Sequence, residues 1–500
     1  MPRGVESWTT DAPSEKDPML MYPEVQMFVG GEWLGVDGRN AEPVFDPATG
    51  EAIGQVPLAT PADLDRALQA AEAALPGWAA MPPFERGRLL AHAAALIRQR
   101  SESIARIMTL EQGKPLRESR IEVNVMADII EWMAEEGRRA YGRRIPARQP
   151  GWRWMTQLEP VGVVAAFAPW NFPGTTPARK LAGPLAAGCC CILKASEETP
   201  GTAIELVRAL HDAGIPPGVC NVVFGVPDQV SRHLIGSPIV RKVTFTGSTA
   251  VGKHIGALSA GAGKPATLEL GGHAPVLVFE DAEVGRVARM TAAAKFRNAG
   301  QVCVSPTRIF VHDALYDTFV QRLVHHVSSL VVGPGIEQAS QMGPLANARR
   351  VLAMQDLLQD AVSKGAKVLV GGAKIDGPGF FFQPTLLADV PADARILHEE
   401  PFGPVALLLP FREEDDALRR ANALPYGLGS YVFTSDADRC LRAADALRAG
   451  LVGINTYTLT GPETPWGGVG DSGYGREGGS EGLQAYMVTK FISQAPAASG

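Results

Sequence analysis

A thiol, a carboxylate and an amide in this sequence have the types and settings that covalent catalysis uses. Cys303 lies in NAGQVCVSPTR. A free thiol ionises near pH 8.5, so neighbours must help to generate the nucleophilic thiolate. The segment from Asp281 to Ala299 reads as a helix, with Asp281 as N-cap and Gly300 as stop. Cys303 would then sit in a loop just past a rigid element, where nucleophiles are commonly carried. Glu269 lies in LELGGHAP between Leu268 and Leu270. Desolvation there raises a carboxyl towards base-competent values. The two glycines that follow let the backbone turn tightly or approach a ligand. Asn171 lies in PWNFP, a stiff segment whose amide can donate to a developing oxyanion without reorganising. Taken singly, each has a plainer reading: an inert buried thiol, a Glu off a strand edge, an Asn in a turn.

GSTAVGKH, Gly247 to His254, follows the strand-like KVTFT and nearly matches the GxxxxGK[ST] phosphate loop. His254 stands where that loop needs a magnesium-binding hydroxyl, which weakens a nucleotide-hydrolase reading. A strand–glycine–helix turn also suits a dinucleotide, because the helix N-terminus attracts pyrophosphate. The GxGxxG fingerprint is absent from this region.

The elements that must hold these residues alternate. Apolar runs at Val161–Ala168, Cys190–Lys194, Asn221–Phe224, Lys242–Thr246 and Val276–Phe279 read as buried strands, and 202–213 has helical spacing. Further strands are expected at Val368–Val370 and Val405–Leu409, and Ala-rich helices at 61–75 and 84–110. Such alternation implies βαβ units and mostly parallel sheet, here in two α/β lobes. Trp152–Leu158 and Ala485–Ile492 mix apolar and polar residues. They read as exposed strands, pairing either across subunits or as edge strands within one.

At 500 residues the chain has room for about three domains, or two with an appendage. A net charge of −6 argues against a nucleic-acid partner. The most apolar stretch, Leu181–Leu193, is broken by Gly183, Pro184 and Gly188 and is too short to span a membrane. Residues 1–23 lack the apolar core of a signal peptide and read as a disordered leader, with the cytoplasm as default compartment. Cys189, Cys190 and Cys191 are consecutive and, with Cys220, Cys303 and Cys440, form neither a disulfide framework nor a zinc-ligand spacing. The first three read as buried strand residues.

Six segments in order, PWNFP (169–173), FTGS (245–248), ELGG (269–272), GQVC (300–303), EEPFGP (399–404) and PWGG…SGYGRE (465–477), resemble the motifs of the aldehyde dehydrogenase superfamily. The resemblance covers roughly residues 24 to 495. It implies a Rossmann-type cofactor lobe (24–140 and 159–269), an α/β catalytic lobe (270–473) and a β oligomerisation arm (141–158 and 474–495) that pairs copies into dimers or tetramers. It implies that Cys303 attacks the aldehyde carbon, that Asn171 and the Cys303 N–H hold the oxyanion, that hydride passes to nicotinamide, and that Glu269 activates water against the thioester. It places Lys194 and Glu197 on the adenosine ribose, Gly247 and Ser248 beside the pyrophosphate, Glu400 on the nicotinamide ribose, Phe402 near the ring and Trp170 beside the pocket. Glu197 accepts a free 2′-hydroxyl but repels a 2′-phosphate, so NAD is expected over NADP. Where many relatives carry Lys, this chain has Gly470 before Asp471.

Within the superfamily the sequence resembles the succinate-semialdehyde dehydrogenases. Their carboxylate clamp maps onto Arg179, Arg297 and Thr460, where that group often has Ser. The expected substrate is succinate semialdehyde or a relative, such as glutarate or 2-oxoglutarate semialdehyde or a longer semialdehyde. The plainer reading gives the arginines structural ion pairs. Ser305 replaces a second Cys that some relatives pair with the nucleophile, so no disulfide switch is expected. CoA-acylating relatives usually lack the Glu at position 269, which makes water the expected acceptor. Intact Cys303, Glu269 and Asn171 weigh against a silent binding protein.

Overall fold

The structure, a computed structural model, describes residues 22–497. Its first sheet has eight strands in the order Glu32–Leu34, Met27–Val29, Cys220–Val223, Cys190–Lys194, Val163–Phe167, Val240–Thr246, Ala266–Glu269 and Gly473–Tyr474. The five from Cys220–Val223 to Ala266–Glu269 are parallel. From Val163–Phe167 the chain builds outward on one side, then returns to place Val240–Thr246 on the other. The order therefore reverses between these two strands, and open α/β sheets bind ligands at the carboxyl ends beside such a reversal. PWNFP leaves one of the two strands and FTGS ends the other.

The second sheet runs Lys367–Val370, Thr385–Ala388, Val405–Phe411, Arg308–His312, Pro275–Val278, Gly429–Phe433 and Leu451–Ile454. It is parallel except at the first edge. Strands this apolar need cover on both faces, and separate buried clusters pack around each sheet.

The apolar runs become strands within two residues of expectation. Cys189, Cys190 and Cys191 are buried there, and 202–213 lies in the helix Pro200–Asp212, shifted at its ends. Three expectations need correction. The stretch 84–110 is two helices, Pro83–Gln99 and Ser101–Gln112, because the chain bends at Arg100, whose carbonyl accepts the Ser103 hydroxyl. Asp281 is not an N-cap: Glu283 caps the helix Val284–Phe296 through the Gly285 and Arg286 N–H groups, while Asp281 accepts from Thr434, Ser435 and Asp436. That helix stops at Phe296, ahead of Gly300, and Asn298, Ala299 and Gly300 all take left-handed φ.

The two exposed strands pair within the chain. Met487–Gln494 lies antiparallel to Arg153–Pro160, with Arg144–Ile145 on the far side. The expected leader falls outside the described residues up to position 21. Tyr22, its penultimate residue, is fixed: its hydroxyl donates to Glu111. No described helix is long and apolar enough to cross a membrane.

Buried Glu111 also accepts the Gly201 and Thr202 N–H groups at 2.8 and 2.9 Å, capping the helix Pro200–Asp212 from 90 residues away. Burial pushes its carboxyl up to about 7 against these bonds. Glu111→Ala takes the acceptor from the buried Thr202 N–H and hydroxyl and leaves the Gly201 N–H only the Tyr22 hydroxyl at 3.1 Å. It is expected to destabilise the protein by about 2–4 kcal/mol, read as a fall in melting temperature that an exposed control, Glu72→Ala, does not show.

Candidate active site

The nucleophile loop begins where the left-handed turn Asn298–Gly300 redirects the chain. A Cβ on Gly300 would collide with the Gly403 carbonyl, so only glycine fits this crossing. Beyond it, Ser305 N–H donates to the Val302 carbonyl at 2.9 Å, closing a turn around Cys303. The Tyr431 hydroxyl donates to the Val304 carbonyl at 2.7 Å, and buried Lys295 donates to Ser305 Oγ at 3.0 Å. Cys303 is half-buried and packs among Phe172, Val302, Val304, Leu428, Leu459 and Trp466. ELGG passes directly behind it: a Cβ on Gly272 would stand 2.6 Å from the Cys303 carbonyl oxygen.

PWNFP meets this loop through Asn171, whose Nδ2 donates to the Gln301 carbonyl at 3.1 Å. A primary amide has a second N–H to offer. Glu269 ends its strand, and its carbonyl accepts the Gly247 N–H at 3.1 Å. Its side chain is 3% exposed, and neither carboxylate oxygen has a hydrogen-bond partner among the described residues. Such a group is costly to bury and points to a functional site. Burial, then the charge of Glu477, pushes the Glu269 carboxyl well up, with Lys180 and Arg179 opposing. Lys180 is bound to Glu477 and donates to Thr244 Oγ1 at 3.0 Å. Burial, then Glu400 and Glu269, pushes the Cys303 thiol up to about 12, with Arg297 opposing. At neutral pH the thiol therefore keeps its proton until a base accepts it.

The strand reversal gathers the groups suited to a dinucleotide. Ser248 is the N-cap of the helix Thr249–Gly261 but makes no side-chain cap, which leaves N–H groups of the first turn for a ligand. The buried Thr246 hydroxyl beside it has no partner among the described residues, and a Cβ on Gly247 would press on the Phe245 ring at 2.5 Å. Lys194 Nζ binds Glu197 at 2.6 Å, and the other Glu197 oxygen accepts the Gly225 N–H at 2.8 Å. Across the cleft Glu400 accepts the Gly272 N–H at 3.1 Å, and burial lifts its carboxyl to about 7. Phe402, at a left-handed φ of 45°, meets Trp170 edge to face at 5.6 Å, and its carbonyl accepts from Arg350 at 3.1 Å. These residues fit a dinucleotide. The phosphate-loop alternative fits worse, because Lys253 pairs with Asp471 at 2.8 Å.

On the other side of Cys303, Arg179 donates to Thr460 Oγ1 at 2.8 Å and stacks over Trp466 at 5.5 Å. Its Nη1 is buried without a partner among the described residues, and its charge is felt at both Glu269 and Cys303. Arg297 is exposed and lies over Phe172 at 5.4 Å. Neither arginine makes a salt bridge among the described residues, so the structural ion-pair reading has no support. Sequence reasoning missed Lys114, Glu122, Asn298, Lys180 and Glu477. Lys180 and Glu477 stand 297 positions apart, and no spacing in a single sequence reveals such a pair.

The model of the Aldehyde dehydrogenase family matches residues 33–492. The chain is 47% identical over 473 residues to 4-(hydroxymethyl)benzenesulfonate dehydrogenase of Comamonas testosteroni, covering 95% of this chain and 98% of that one. It is 42% identical to the succinate-semialdehyde dehydrogenase [NADP(+)] of Escherichia coli, covering 93% and 97%. The crystal structure of succinate-semialdehyde dehydrogenase from Burkholderia pseudomallei superposes with a TM-score of 0.93 at 43% identity, covering 97% of this chain and all of that one. Matches of this length and strength, on a fold whose strand reversal gathers a thiol, a bare carboxylate and a nucleotide cleft, make the chain a member of the aldehyde dehydrogenase family, an enzyme that oxidises an aldehyde with NAD(P).

Proposed function

We propose that this enzyme oxidises a short aldehyde with an anionic far end, succinate semialdehyde foremost, and prefers NAD to NADP. The observation that carries the reading is Arg179: a half-buried guanidinium whose buried Nη1 has no partner among the described residues, beside the Thr460 hydroxyl and within electrostatic reach of the thiol. A substrate carboxylate would satisfy that donor, with exposed Arg297 closing on it from the Phe172 side. Glutarate and 2-oxoglutarate semialdehydes carry the same anion on a longer chain. The aromatic rings of Phe172 and Trp466 beneath the two arginines, with the 47% identical relative, favour a second reading, a sulfonated aromatic aldehyde.

In this reading Cys303 Sγ gives its proton to Glu269 as it attacks the carbonyl carbon. The free N–H of Asn171 and the Cys303 N–H hold the oxyanion, worth about 3–4 kcal/mol of barrier per donor. When bound, the dinucleotide supplies the hydride acceptor. Trp170, Lys194, Glu197, Gly247, Ser248, Glu400 and Phe402 are the residues to hold it. The thioester left on Cys303 is attacked by water, whose proton Glu269 takes. Splitting oxidation into acylation and hydrolysis replaces one difficult step by two easier ones.

The division into lobes at 24–140 with 159–269, and 270–473, belongs to the same proposal. So does self-association into a dimer or tetramer through an arm of residues 141–158 and 474–495. Its outer strand exposes Val488 and Phe491, and an apolar, unpaired edge is a template for another strand.

Four outcomes are expected. Because the Glu269 carboxyl is raised, it stays protonated at pH values where an ordinary Glu is already ionised. Turnover should therefore keep climbing with pH above the range where an ordinary Glu is fully ionised. Glu269→Gln should slow the burst of NADH as well as the steady rate, because both proton transfers use that carboxylate; steady turnover at the wild-type rate would remove Glu269 from the mechanism. For Arg297→Ala, the kcat/KM ratio of succinate semialdehyde to butanal should fall about tenfold or more. An unchanged ratio removes the clamp, and a higher wild-type kcat/KM for 4-formylbenzenesulfonate favours the aromatic reading. Glu197→Ser should shift kcat/KM towards NADP by about tenfold, and a wild-type enzyme that already prefers NADP contradicts the cofactor assignment.

A further inference from the structure

The PWNFP segment carries the oxyanion amide, yet nothing in that segment holds it at the height of the thiol. The holding groups come from elsewhere. Helix Ser101–Gln112 ends at Gly113, whose φ is 92°, and the next residue, Lys114, points its ammonium inward rather than to solvent. Lys114 Nζ donates to the Asn171 carbonyl at 2.9 Å, binds the Glu122 carboxylate and lies 4.3 Å from the centre of the Phe172 ring. Glu122, on the helix Leu116–Glu136, turns its other oxygen to the Gly174 and Thr175 N–H groups at 2.9 and 3.1 Å. The pair therefore grips residues 171–175 from both ends: the cation on a carbonyl, the anion on two amides.

A second anchor reaches the same carbonyl. Asn298 Nδ2 donates to the Asn171 oxygen at 2.9 Å. Asn298 is itself fixed: its Oδ1 accepts Gln112 Nε2 at 2.8 Å and its N–H donates to Glu118 at 2.9 Å. Its left-handed φ of 50° is part of the turn that leads to Cys303. The Asn171 carbonyl thus receives one donor from the helical layer and one from the nucleophile loop.

A buried ion pair is weak evidence for stability, because its desolvation offsets much of its attraction and an apolar pair of similar volume often does as well. What an ion pair with these four contacts supplies is position. We propose that Lys114 and Glu122 are positioning residues that, with Asn298, set the Asn171 amide at the height where its free N–H meets the oxyanion on the Cys303 adduct. This rests on the assignment of Asn171 as oxyanion donor. Misplacing a reacting group by about an ångström costs on the order of 100-fold in rate.

The test uses the full-length enzyme and the steady-state oxidation of an aldehyde. Asn171→Ala is measured first, since wild-type kcat there overturns the oxyanion assignment itself. The double variant Lys114→Met with Glu122→Met replaces both charges and strands neither. It is expected to keep the KM for NAD and to lose about 10- to 100-fold in kcat. In the Asn171→Ala background the same double change should lower kcat less than about threefold, because there is no amide left to misplace. Asn298→Gly keeps the left-handed φ, removes the second anchor and leaves the ion pair intact, so it decides the matter if the double variant fails to fold. It should show the same two signatures. A kcat equal to wild type, or a loss that multiplies in full on top of Asn171→Ala, overturns the positioning role while leaving the oxyanion assignment standing.

Discussion

A carboxylate without a hydrogen bond, buried beside a thiol, is the arrangement on which the rest of this structure depends. A neighbouring donor would satisfy Glu269 at once, and the described residues bring it none. Glu269 ends a strand whose carbonyl is already spent on Gly247, and Gly467, Gly473 and Gly475 bring the returning C-terminal chain close on that side without side chains to offer. The nearest cation, Lys180, is bound to Glu477 and Thr244. Lowering Glu269 by a direct salt bridge would make it a poorer base, so holding Lys180 one residue away preserves its basicity.

The same economy of approach joins the two sheets. Their facing edges exchange single, specific bonds: Gln112 to Asn298, Asn171 to Gln301, the Gly272 N–H to Glu400, and Asn347 to Glu198 at 2.8 Å. Each lies within a few residues of a group that would touch aldehyde or dinucleotide. Such contacts tie the two sides together around Cys303, beside the Trp170–Phe402 contact and the apolar cluster that holds Phe172 and Trp466. Phe402 shows the cost. Its left-handed φ is disfavoured for an aromatic residue and persists because Arg350 holds the Pro401 and Phe402 carbonyls.

What could be read in the sequence follows from the range of the forces involved. Cys190–Lys194 is a strand over the expected residues, because a run buried on both faces is apolar without interruption and local pattern is enough. Cys303, Glu269 and Asn171 stand out by residue type in stiff or glycine-flanked settings, and what joins them is the order of the motifs. Asp281 misled because its donors, Thr434 and Ser435, are 153 and 154 residues away, and a long-range tie looks like a local cap when seen alone. Asn298 and Ala299 gave no sign of left-handed backbone, since glycine marks that region and only Gly300 was glycine. Lys114 reads as an ordinary surface lysine between Gly113 and Pro115; its burial is decided by Glu122 and Asn171, not by its neighbours in the chain.

The two acids at the centre also set each other. A charge on Glu269 raises Cys303, and a thiolate would raise Glu269 in return, so the pair favours holding one proton between them over releasing both. In the proposed mechanism that proton is the one that moves: thiol attack delivers it to the carboxylate, and water attack on the thioester requires the carboxylate to be free again. Both proposed steps draw on one site whose affinity for a proton is raised chiefly by burial. The same proposal gives chemistry and selectivity to different elements, the Cys303 loop and the Glu269 strand end for the first and the Arg179, Arg297 and Thr460 rim for the second. A change of aldehyde can therefore be made at the rim while the proton economy of Cys303 and Glu269 is left alone.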